Sequence, residues 1–461
     1  MSVIWRNRAG NQRALVELRH PTTEPELRDI VGEAASHGRP LKAVGAGLAC
    51  SDMALTHGIL LSLEDYGRVV SLDAERMEVT VQAGARLGEV TRHLAGRGFA
   101  FESTGGSAAQ TIAGAVATGF SGTGTRSAGL SAAVTGMRLI DAEGVVHETH
   151  SPLRSNGAGG SGARGAPHRG EDTAPDSPER LHDVARVGLG ALGLVSTLTL
   201  EVVPAFKLHT RTEVRDMGEV LEGFEHLASA NDHLELWCST GSDTAFAKVG
   251  RRTHEPATAR PRSTVLRERL LSDLLTNRGG TRSRNANRWG PPRLSERRSS
   301  LAVRMLPTES DDASPDLLRP EPSNGEVELG YAVPLGETMD ALLAIQQWAR
   351  QRDDPVHLPV AVWVSDGDDS PLSPSYGRKS GHIRIRASRG WAYEELFGAV
   401  ESIMAEHDGR PHWETLHRRT SDDLRVLYPR WAEFQAVRGH MDPTGVFANA
   451  YTERCLGSPA S

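Results

Sequence analysis

FESTGGSAAQTIAGAVATGFSGTG, which runs from Phe101 to Gly124, is the stretch of sequence that decides how this chain folds. It begins with a pair of glycines and carries four more among small residues. Such a segment suits a backbone that lies against a flat or charged ligand, because a missing Cβ allows close approach and positive φ. A second glycine loop, VGAGLACSD at residues 44–52, has N–H groups that could surround a diphosphate. The chain holds 48 glycines in 461 residues, more than the ~7% average, so spacing alone does not decide whether these loops bind a nucleotide.

Length and charge restrict the classes of protein to be considered. At 461 residues the chain can form two hydrophobic cores, and its net charge of −7 gives no basic excess for nucleic acid. Three cysteines provide no disulfide framework, and the sequence has neither an apolar signal core nor a run of membrane-spanning length. These features predict a cytoplasmic two-domain protein that binds neither nucleic acid nor a membrane and has no metal site. They leave its oligomeric state open.

Periodicity predicts a strand–helix–strand–loop unit at the start of the chain. Thr23 and Glu26 form a potential capping box before a helix at residues 27–38, and apolar residues 41–44 lead into the first glycine loop. Because no G-x-G-x-x-G opens a helix after the first strand, a Rossmann site is disfavoured. The other segments predicted from their patterns are strands at 78–82, 133–140, 144–148, 198–202, 234–238, 245–249, 326–333, 358–364 and 382–386, and helices at 87–94, 337–351 and 393–406.

Two segments have compositions that do not suit a packed core. Residues 151–179 are almost entirely Ser, Gly, Ala, Pro and Arg, which predicts a disordered insertion because little apolar surface is available to offset the entropy of ordering. Residues 251–324 are rich in Arg, Ser, Pro and Gly and predict a second, low-complexity insertion with one helix at 263–277. This arginine density is more typical of a solvated segment than of a surface for an acidic partner.

Four motifs occur here in one order: WRNRAGN at 5–11, QTIAGAVATGFSGTG at 110–124, GRPHW at 409–413 and DPTGVFANAYTERCLG at 442–457. In this combination the chain resembles the FAD-linked sugar-alcohol and aldonolactone oxidases, which share the vanillyl-alcohol-oxidase type of FAD fold, over nearly its whole length except the two insertions. The resemblance implies an α+β protein. Residues 1–204 and 410–461 would form a two-part FAD-binding domain, and residues 205–409 a substrate or cap domain with an antiparallel sheet flanked by helices.

The resemblance also implies where FAD lies, with its diphosphate on the first glycine loop and its ring packed on the second. Residues implied to contact the diphosphate are Gly45, Ala46, Gly47, Leu48, Ala49, Ser51 and Asp52. Residues implied to lie near the ribityl chain and the ring are Gly105, Gly106, Thr111, Gly114, Thr118, Ser121, Gly122 and Val195. The histidine of the HW motif, His412, is implied to reach the flavin from the C-terminal segment; the alternative is a histidine satisfied within a core.

The first glycine loop departs from the family at the position that carries the flavin. Many members read G-x-G-H-S, and that histidine binds FAD covalently. Leu48 occupies the position here and has no nucleophilic atom. Cys50 lies two positions away and could form a thioether, but a small buried thiol is the simpler interpretation. The sequence therefore predicts FAD held without a covalent bond.

The positions implied to act on the substrate have also changed. Family members carry Glu-x-Arg on a strand that faces the substrate, and Ala361 and Trp363 stand there, on one face because residues two apart on a strand point the same way. The lysine of HW-x-Lys, placed to take a hydroxyl proton, is replaced by Thr415. The serine often found near the substrate is Gly106, and the histidine of T-H-G-T is Ser121. Of the remaining residues, His412 and Glu414 are the candidates for an acid or base.

Together these changes predict a pocket rebuilt to be roomier and more apolar, with Trp363 offering an aromatic face to a hydrophobic small molecule. Three hypotheses follow. The chain is an FAD-dependent oxidoreductase acting on a non-sugar substrate in specialised metabolism; or a non-redox cyclase or isomerase that keeps the FAD scaffold and acts by confinement; or a binding protein without catalysis.

Overall fold

The computed structural model describes residues 2–151, 174, 177–253, 309–313, 325–352, 358–390 and 392–458. The expected disordered insertion at 151–179 falls mostly outside these residues, and so does the helix expected at 263–277. Two parts of the expected low-complexity insertion are described. Residues 251–253 end the strand at Thr244–Thr253, and residues 309–313 form a strand paired antiparallel with residues 207–211. The segment 251–324 is therefore not wholly an appendage to the fold.

Several of the helices begin at a side-chain cap that the sequence provides. At the start of α1 the side chain of Thr23 accepts a hydrogen bond from the backbone N–H of Glu26, and the carboxylate of Glu26 accepts one from the backbone N–H of Thr22 at 2.7 Å. Thr111 caps α3 through the N–H of Gly114. The helices are α1 Glu24–Ser36, α2 Leu87–Ala95, α3 Ile112–Ala117, α4 Pro178–Ala185, α5 Met217–Ser229, α6 Thr338–Gln351, α7 Tyr393–Glu406, α8 Ser421–Leu424, α9 Trp431–Met441 and α10 Ala450–Leu456, with 3-10 turns at Leu130–Ala133 and Leu335–Glu337.

The strands fall into three larger sheets and one two-stranded pair among the described residues. They are β1 Ser2–Arg6, β2 Arg13–Arg19, β3 Leu41–Val44, β4 Ile59–Ser62, β5 Val69–Asp73, β6 Glu78–Gln82, β7 Phe99–Ala100, β8 Val134–Ile140, β9 Val146–His150, β10 Leu194–Glu201, β11 Val203–Pro204, β12 Lys207–Asp216, β13 His233–Ser239, β14 Thr244–Thr253, β15 Glu309–Ala313, β16 Glu326–Pro334, β17 Pro359–Ser365, β18 Ser380–Ser388 and β19 Arg410–Pro411.

The first glycine loop follows β3 of the first sheet, and the second glycine stretch follows β7 of the two-stranded pair. A four-stranded sheet, ordered β1-β2-β4-β3, pairs β4 in parallel with both β2 and β3. A five-stranded antiparallel sheet is ordered β5-β6-β10-β8-β9. Buried residues of the C-terminal segment, among them Trp413 and Tyr451, share one hydrophobic core with Val79 and Leu198 of this second sheet. The tail of the chain therefore packs against the N-terminal half.

The third sheet is antiparallel throughout and has eight strands in the order β15-β12-β14-β13-β17-β18-β16-β19. Helices α5, α6 and α7 supply apolar residues to its core, which confirms the α+β fold with an antiparallel sheet flanked by helices. Its last strand, β19, comes from the segment leading to the HW motif and pairs with β16. This pairing fixes the residues after Pro411 against the sheet. No described helix is long and apolar enough to cross a membrane.

Candidate functional site

The first glycine loop leaves β3 at Val44 with its carbonyl groups held by the N-terminal segment. The backbone N–H of Arg8 donates to the carbonyl of Gly47, and the side chains of Asn7 and Asn11 donate to the carbonyls of Ala49 and Cys50 at 2.9 and 2.8 Å. By contrast, among the described residues no hydrogen-bond acceptor meets the backbone N–H groups of residues 46–49. The WRNRAGN motif thus occupies the oxygens of the loop and leaves its amides for an anion.

The second glycine stretch lies directly against this loop. A Cβ at Gly45 would collide with Oγ1 of Thr111, the residue that caps α3. Gly105 has a φ of +44°, and a Cβ there would collide with the backbone of Gly122. Glycine is required at both points, because the backbone of Gly45 packs against the Thr111 side chain and the backbone of Gly105 packs against that of Gly122. The two loops therefore form one wall of a single cavity.

The cavity lined by these loops fits the FAD implied by the resemblance, since unpaired amides face a diphosphate position and small residues leave room for a flat ring. Its walls come from residues 41–49, 107–120 and 185–195, and from four charged side chains at one end. Predicted cofactor residues that line it are Gly45, Ala46, Gly47, Leu48, Ala49, Thr111, Gly114, Thr118 and Val195; Ser51, Asp52, Gly105, Gly106, Ser121, Gly122 and His412 are not among its lining residues.

Two of the residues that stand outside the lining have structural partners. Ser51 Oγ donates to the carbonyl of Trp413 at 2.9 Å, and the Asp52 carboxylate lies 3.6 Å from the guanidinium of Arg454. Both contacts tie the first loop to the C-terminal segment. Among the lining residues that sequence reasoning missed is Lys42, whose Nζ donates to the carbonyls of Gly190 and Phe447. Burial lowers the pKa of Lys42 to about 8.

The charged end of the cavity is built by Glu328 of β16, Arg384 and Arg386 of β18, and Glu414 of the HW motif. Arg384 donates to Glu328 Oε2 at 3.2 Å and to Glu414 Oε1 at 2.6 Å, and Arg386 Nε donates to Glu328 Oε1 at 2.8 Å. The strand register brings this about, because Glu328 stands opposite Arg386 and Gly330 stands opposite Arg384. These four residues are called the charged cluster below.

The sequence predicted a pocket more apolar than in the family, and the structure places the charged cluster in its lining. Three of its members, Glu328, Arg384 and Arg386, were missed by sequence reasoning. A signal was present in HIRIRAS at 382–388, where His382, Arg384 and Arg386 alternate with isoleucines of the core. Alternating charges on a strand usually indicate a solvated face, so the pattern alone does not identify a buried site. Burial raises the pKa of Glu414, although Arg384 opposes this.

Ala361 and Trp363 lie opposite Arg384 and His382 in the register of β17 and β18. The Trp363 side chain is buried, with 1% of the residue exposed. Its indole stacks on the His382 imidazole with ring centroids 5.0 Å apart, and its Nε1 donates to Ser121 Oγ at 3.1 Å. Neither Ala361 nor Trp363 is among the residues that line the cavity. The expectation that Trp363 presents an aromatic face to a ligand is wrong for this structure, because that face is already covered.

Two more expected catalytic residues have structural roles. Thr415 is buried, and its Oγ1 donates to the carbonyl of His412 at 2.9 Å and accepts from the N–H of Gly330 at 3.0 Å. His412 does not line the cavity: its Nδ1 meets Arg384 at 3.3 Å and its Nε2 meets His382 Nδ1 at 2.9 Å. Of the residues expected to act in catalysis, the structure therefore brings only Glu414 to the cavity wall.

Leu48 lines the cavity, as its position in the first loop requires, whereas Cys50 is buried in the core of the third sheet. Burial raises the pKa of the Cys50 thiol to about 12. A thiol that stays protonated is a poor nucleophile, because the thiolate is the reactive form. Neither residue provides the covalent link to a flavin that many members of the family have.

Comparison with known proteins agrees with this geometry. A model of the FAD binding domain family matches residues 18–150, and a model of the D-arabinono-1,4-lactone oxidase family matches residues 198–455. L-gulono-1,4-lactone dehydrogenase of Mycobacterium tuberculosis is 33% identical over 459 residues, which cover 99% of this chain and 100% of that protein. L-gulonolactone oxidase of Mus musculus is 27% identical over 448 residues, 94% of this chain and 93% of its own.

Among solved structures, cholesterol oxidase of Brevibacterium sterolicum superposes with a TM-score of 0.77. The superposition covers 99% of this chain and 97% of the other, at 14% sequence identity. A likeness at this identity shows the fold alone.

Proposed function

Because the chain belongs to the D-arabinono-1,4-lactone oxidase family of FAD-dependent oxidoreductases, we propose that it oxidises a small non-sugar alcohol at the charged cluster. The substrate we propose carries one reacting hydroxyl group and an anionic group. The observation that carries the proposal is the position of Glu414, which lines the cavity beside Arg384 while the family's substrate-binding Glu-x-Arg positions hold Ala361 and buried Trp363.

A polyol or an aldonolactone needs hydrogen bonds at several hydroxyl groups. Ala361 has no polar side-chain atom, and the indole N–H of Trp363 is already bonded to Ser121. Leaving a buried polar group unpaired costs roughly 1–3 kcal/mol. Two such losses would lower kcat/KM for a polyol by about 30- to 10⁴-fold. This discrimination supports a role in specialised metabolism rather than in the oxidation of sugars.

The two glycine loops would hold FAD, which would supply the hydride acceptor for the carbon that bears the hydroxyl group. The residues of the chain supply the proton transfer and the orientation. Glu414 is the proposed base for the hydroxyl proton, since its carboxylate lines the cavity and burial raises its pKa toward the range in which a carboxylate is an effective base. Arg384 holds that carboxylate from one side at 2.6 Å. A base so placed contributes about 10²–10⁴-fold to the rate.

Arg386 supports the anionic part of the proposal. Its Nε is fixed by Glu328, and among the described residues no acceptor meets its two terminal nitrogens. The side chain lines the cavity and is 24% exposed, so these nitrogens can reach a ligand. A guanidinium with one edge fixed presents its remaining donors to a carboxylate in a defined direction.

The test uses purified protein loaded with FAD under anaerobic conditions. Flavin absorbance is followed while 2-, 3- and 4-hydroxybutanoate are added, with butan-1-ol as the neutral counterpart and xylitol, sorbitol and L-gulono-1,4-lactone as family substrates. We expect bleaching by at least one hydroxy acid at a rate well above that of butan-1-ol and of the polyols. Brisk reduction by xylitol or the lactone would contradict the proposal, and so would equal rates with and without the carboxylate.

The same experiment addresses the non-redox hypothesis. If a hydroxy acid is converted while the flavin stays oxidised, the chain uses its FAD scaffold without electron transfer, and the proposed oxidation is wrong. If none of the compounds reacts while the visible spectrum shows that FAD is bound, the proposed oxidation is wrong.

A further inference from the structure

We propose that His382 is a positioning residue of this site: it fixes the tautomer of His412 and, through His412, the orientation of Arg384 toward Glu414. His382 belongs to no motif of the sequence and does not line the cavity. This proposal goes beyond the assignment of Glu414 as base. It rests on the proposed function only for the expected changes in the rate of flavin reduction.

The directions of the hydrogen bonds between Arg384, His412 and His382 follow from the Arg384 guanidinium, which stays protonated and can only donate. The Arg384 guanidinium donates only, so His412 Nδ1, 3.3 Å away, must accept. In a neutral imidazole with an accepting Nδ1, the proton is on Nε2. His412 Nε2–H therefore donates to His382 Nδ1 at 2.9 Å. His382 Nδ1 is then an acceptor, which leaves the His382 proton on Nε2.

The far side of His382 has acceptors in place for that proton. Its Nε2 lies 2.8 Å from Ser365 Oγ and 3.1 Å from Ser121 Oγ. Trp363 stacks on the same imidazole at an interplanar angle of 8°, which limits rotation of the ring. The chain of donors thus runs from Arg384 through His412 and His382 to the serines, and every group along it has one consistent role.

The consequence for the site is a fixed guanidinium. The planar group of Arg384 donates to Glu328, Glu414 and His412 together. If His412 adopted the other tautomer, its Nδ1–H would face the N–H of Arg384, and the two donors would repel. Arg384 would then turn away from His412 and weaken its 2.6 Å contact with Glu414. His382 and His412 therefore keep Arg384 in contact with the Glu414 carboxylate, and neither histidine lines the cavity.

The primary test reads the tautomers directly and needs no substrate. Protein labelled with ¹⁵N-histidine and loaded with FAD is studied by long-range ¹H–¹⁵N correlation spectra near neutral pH. We expect the signals of His412 and His382, assigned by single substitutions, to show the Nε2–H form in both. A wild-type spectrum with His412 protonated at Nδ1, or at both nitrogens, would overturn the proposal whatever the enzyme oxidises.

Three variants test the positioning role. His382→Asn keeps an acceptor near the place of Nδ1, so we expect the Nε2–H tautomer of His412 to persist and the rate of flavin reduction to fall by less than about fivefold. His382→Leu removes the acceptor, so we expect a loss of about 10- to 100-fold, as for the hydrogen-bond partners of metal-ligating histidines. His182→Leu is the matched control, because His182 is equally buried, at 1% exposure, and lies outside the charged cluster.

Failure of the two proposals can be told apart. If no alcohol reduces the flavin, the function proposed for Glu414 fails, yet the tautomer spectra still decide the role of His382. The positioning role is refuted if His382→Leu and His382→Asn lower the rate of flavin reduction by the same factor. It is also refuted if His182→Leu lowers that rate as much as His382→Leu does, because the effect would then come from folding. A thermal melt of each variant identifies any general loss of stability.

Discussion

Replacing Glu414 by Gln removes the proposed base while keeping a side chain of the same shape. The amide oxygen can still accept from Arg384, so the variant should fold with FAD bound. Loss of a general base lowers the rate by about 10²–10⁴-fold, equivalent to about 2.7–5.5 kcal/mol in the barrier. The measurement is stopped-flow flavin reduction under anaerobic conditions with the hydroxy acid found by the screen. We expect kcat to fall and KM to change little, because the amide side chain of Glu414→Gln would still contact the ligand.

The pH dependence of the same reaction gives an independent reading. Glu414 acts only when ionised, and burial raises its pKa above the ordinary value of 4.5. The wild-type rate should therefore fall as pH decreases through a value above 4.5, and this acid limb should vanish in Glu414→Gln. The free energy of unfolding should depend on pH in the opposite sense to the rate. A carboxyl whose pKa is raised on folding contributes stability at low pH that is lost as pH rises through the folded pKa, and the variant should lack this loss.

Glu326→Gln is the matched control. Glu326 lies on β16 two residues before Glu328 but is not among the cavity-lining residues. We expect its rate to stay within about twofold of wild type, as surface substitutions usually have small effects. If Glu414→Gln retains more than about a tenth of the wild-type rate at every pH, Glu414 is not the base. If Glu326→Gln loses as much rate as Glu414→Gln, the effect comes from the net charge of the sheet and the reasoning fails.

Three further outcomes are expected. Acid precipitation of the loaded protein should release all its flavin into the supernatant, because Leu48 has no nucleophile and the Cys50 thiol has a pKa of about 12; colour left in the pellet would refute this. Gly330→Ala should lower the free energy of unfolding by about 1–3 kcal/mol in denaturant titrations, because a Cβ would lie 2.5 Å from His412 Nδ1. Gly223→Ala is the control and should not destabilise the protein, since no heavy atom of the described residues lies within 4 Å of a Cβ there. Equal effects of the two substitutions would contradict the close packing at Gly330. Arg386→Leu should raise KM for the hydroxy acid at least about tenfold, while Arg386→Lys should restore part of the affinity; an unchanged KM would place the carboxylate elsewhere.

The sequence predicted many elements because their signals are local. The helix expected at 337–351 is observed at Thr338–Gln351, and the strand expected at 78–82 is observed as predicted. Apolar spacing and side-chain caps act within a few residues, so they can be identified without the fold. Strand β12, at Lys207–Asp216, was not identified, because its sequence KLHTRTEVRD is polar and it is held mainly by pairing with β14. Such pairing is a property of the sheet and not of the segment.

The sequence by itself determined the FAD fold and the two glycine loops. Close backbone contacts, such as that of Gly105 with Gly122, exclude every other side chain and therefore appear directly as glycines. Only the tertiary structure decided the chemistry of the site. Glu328, Arg384 and Glu414 are far apart in the chain and meet because β16, β18 and the C-terminal segment share one sheet. The pairing of β17 with β18 in that sheet covers Trp363 with His382. Strand register sets which charges face each other across a sheet, and that register depends on contacts between distant segments, which no local pattern specifies.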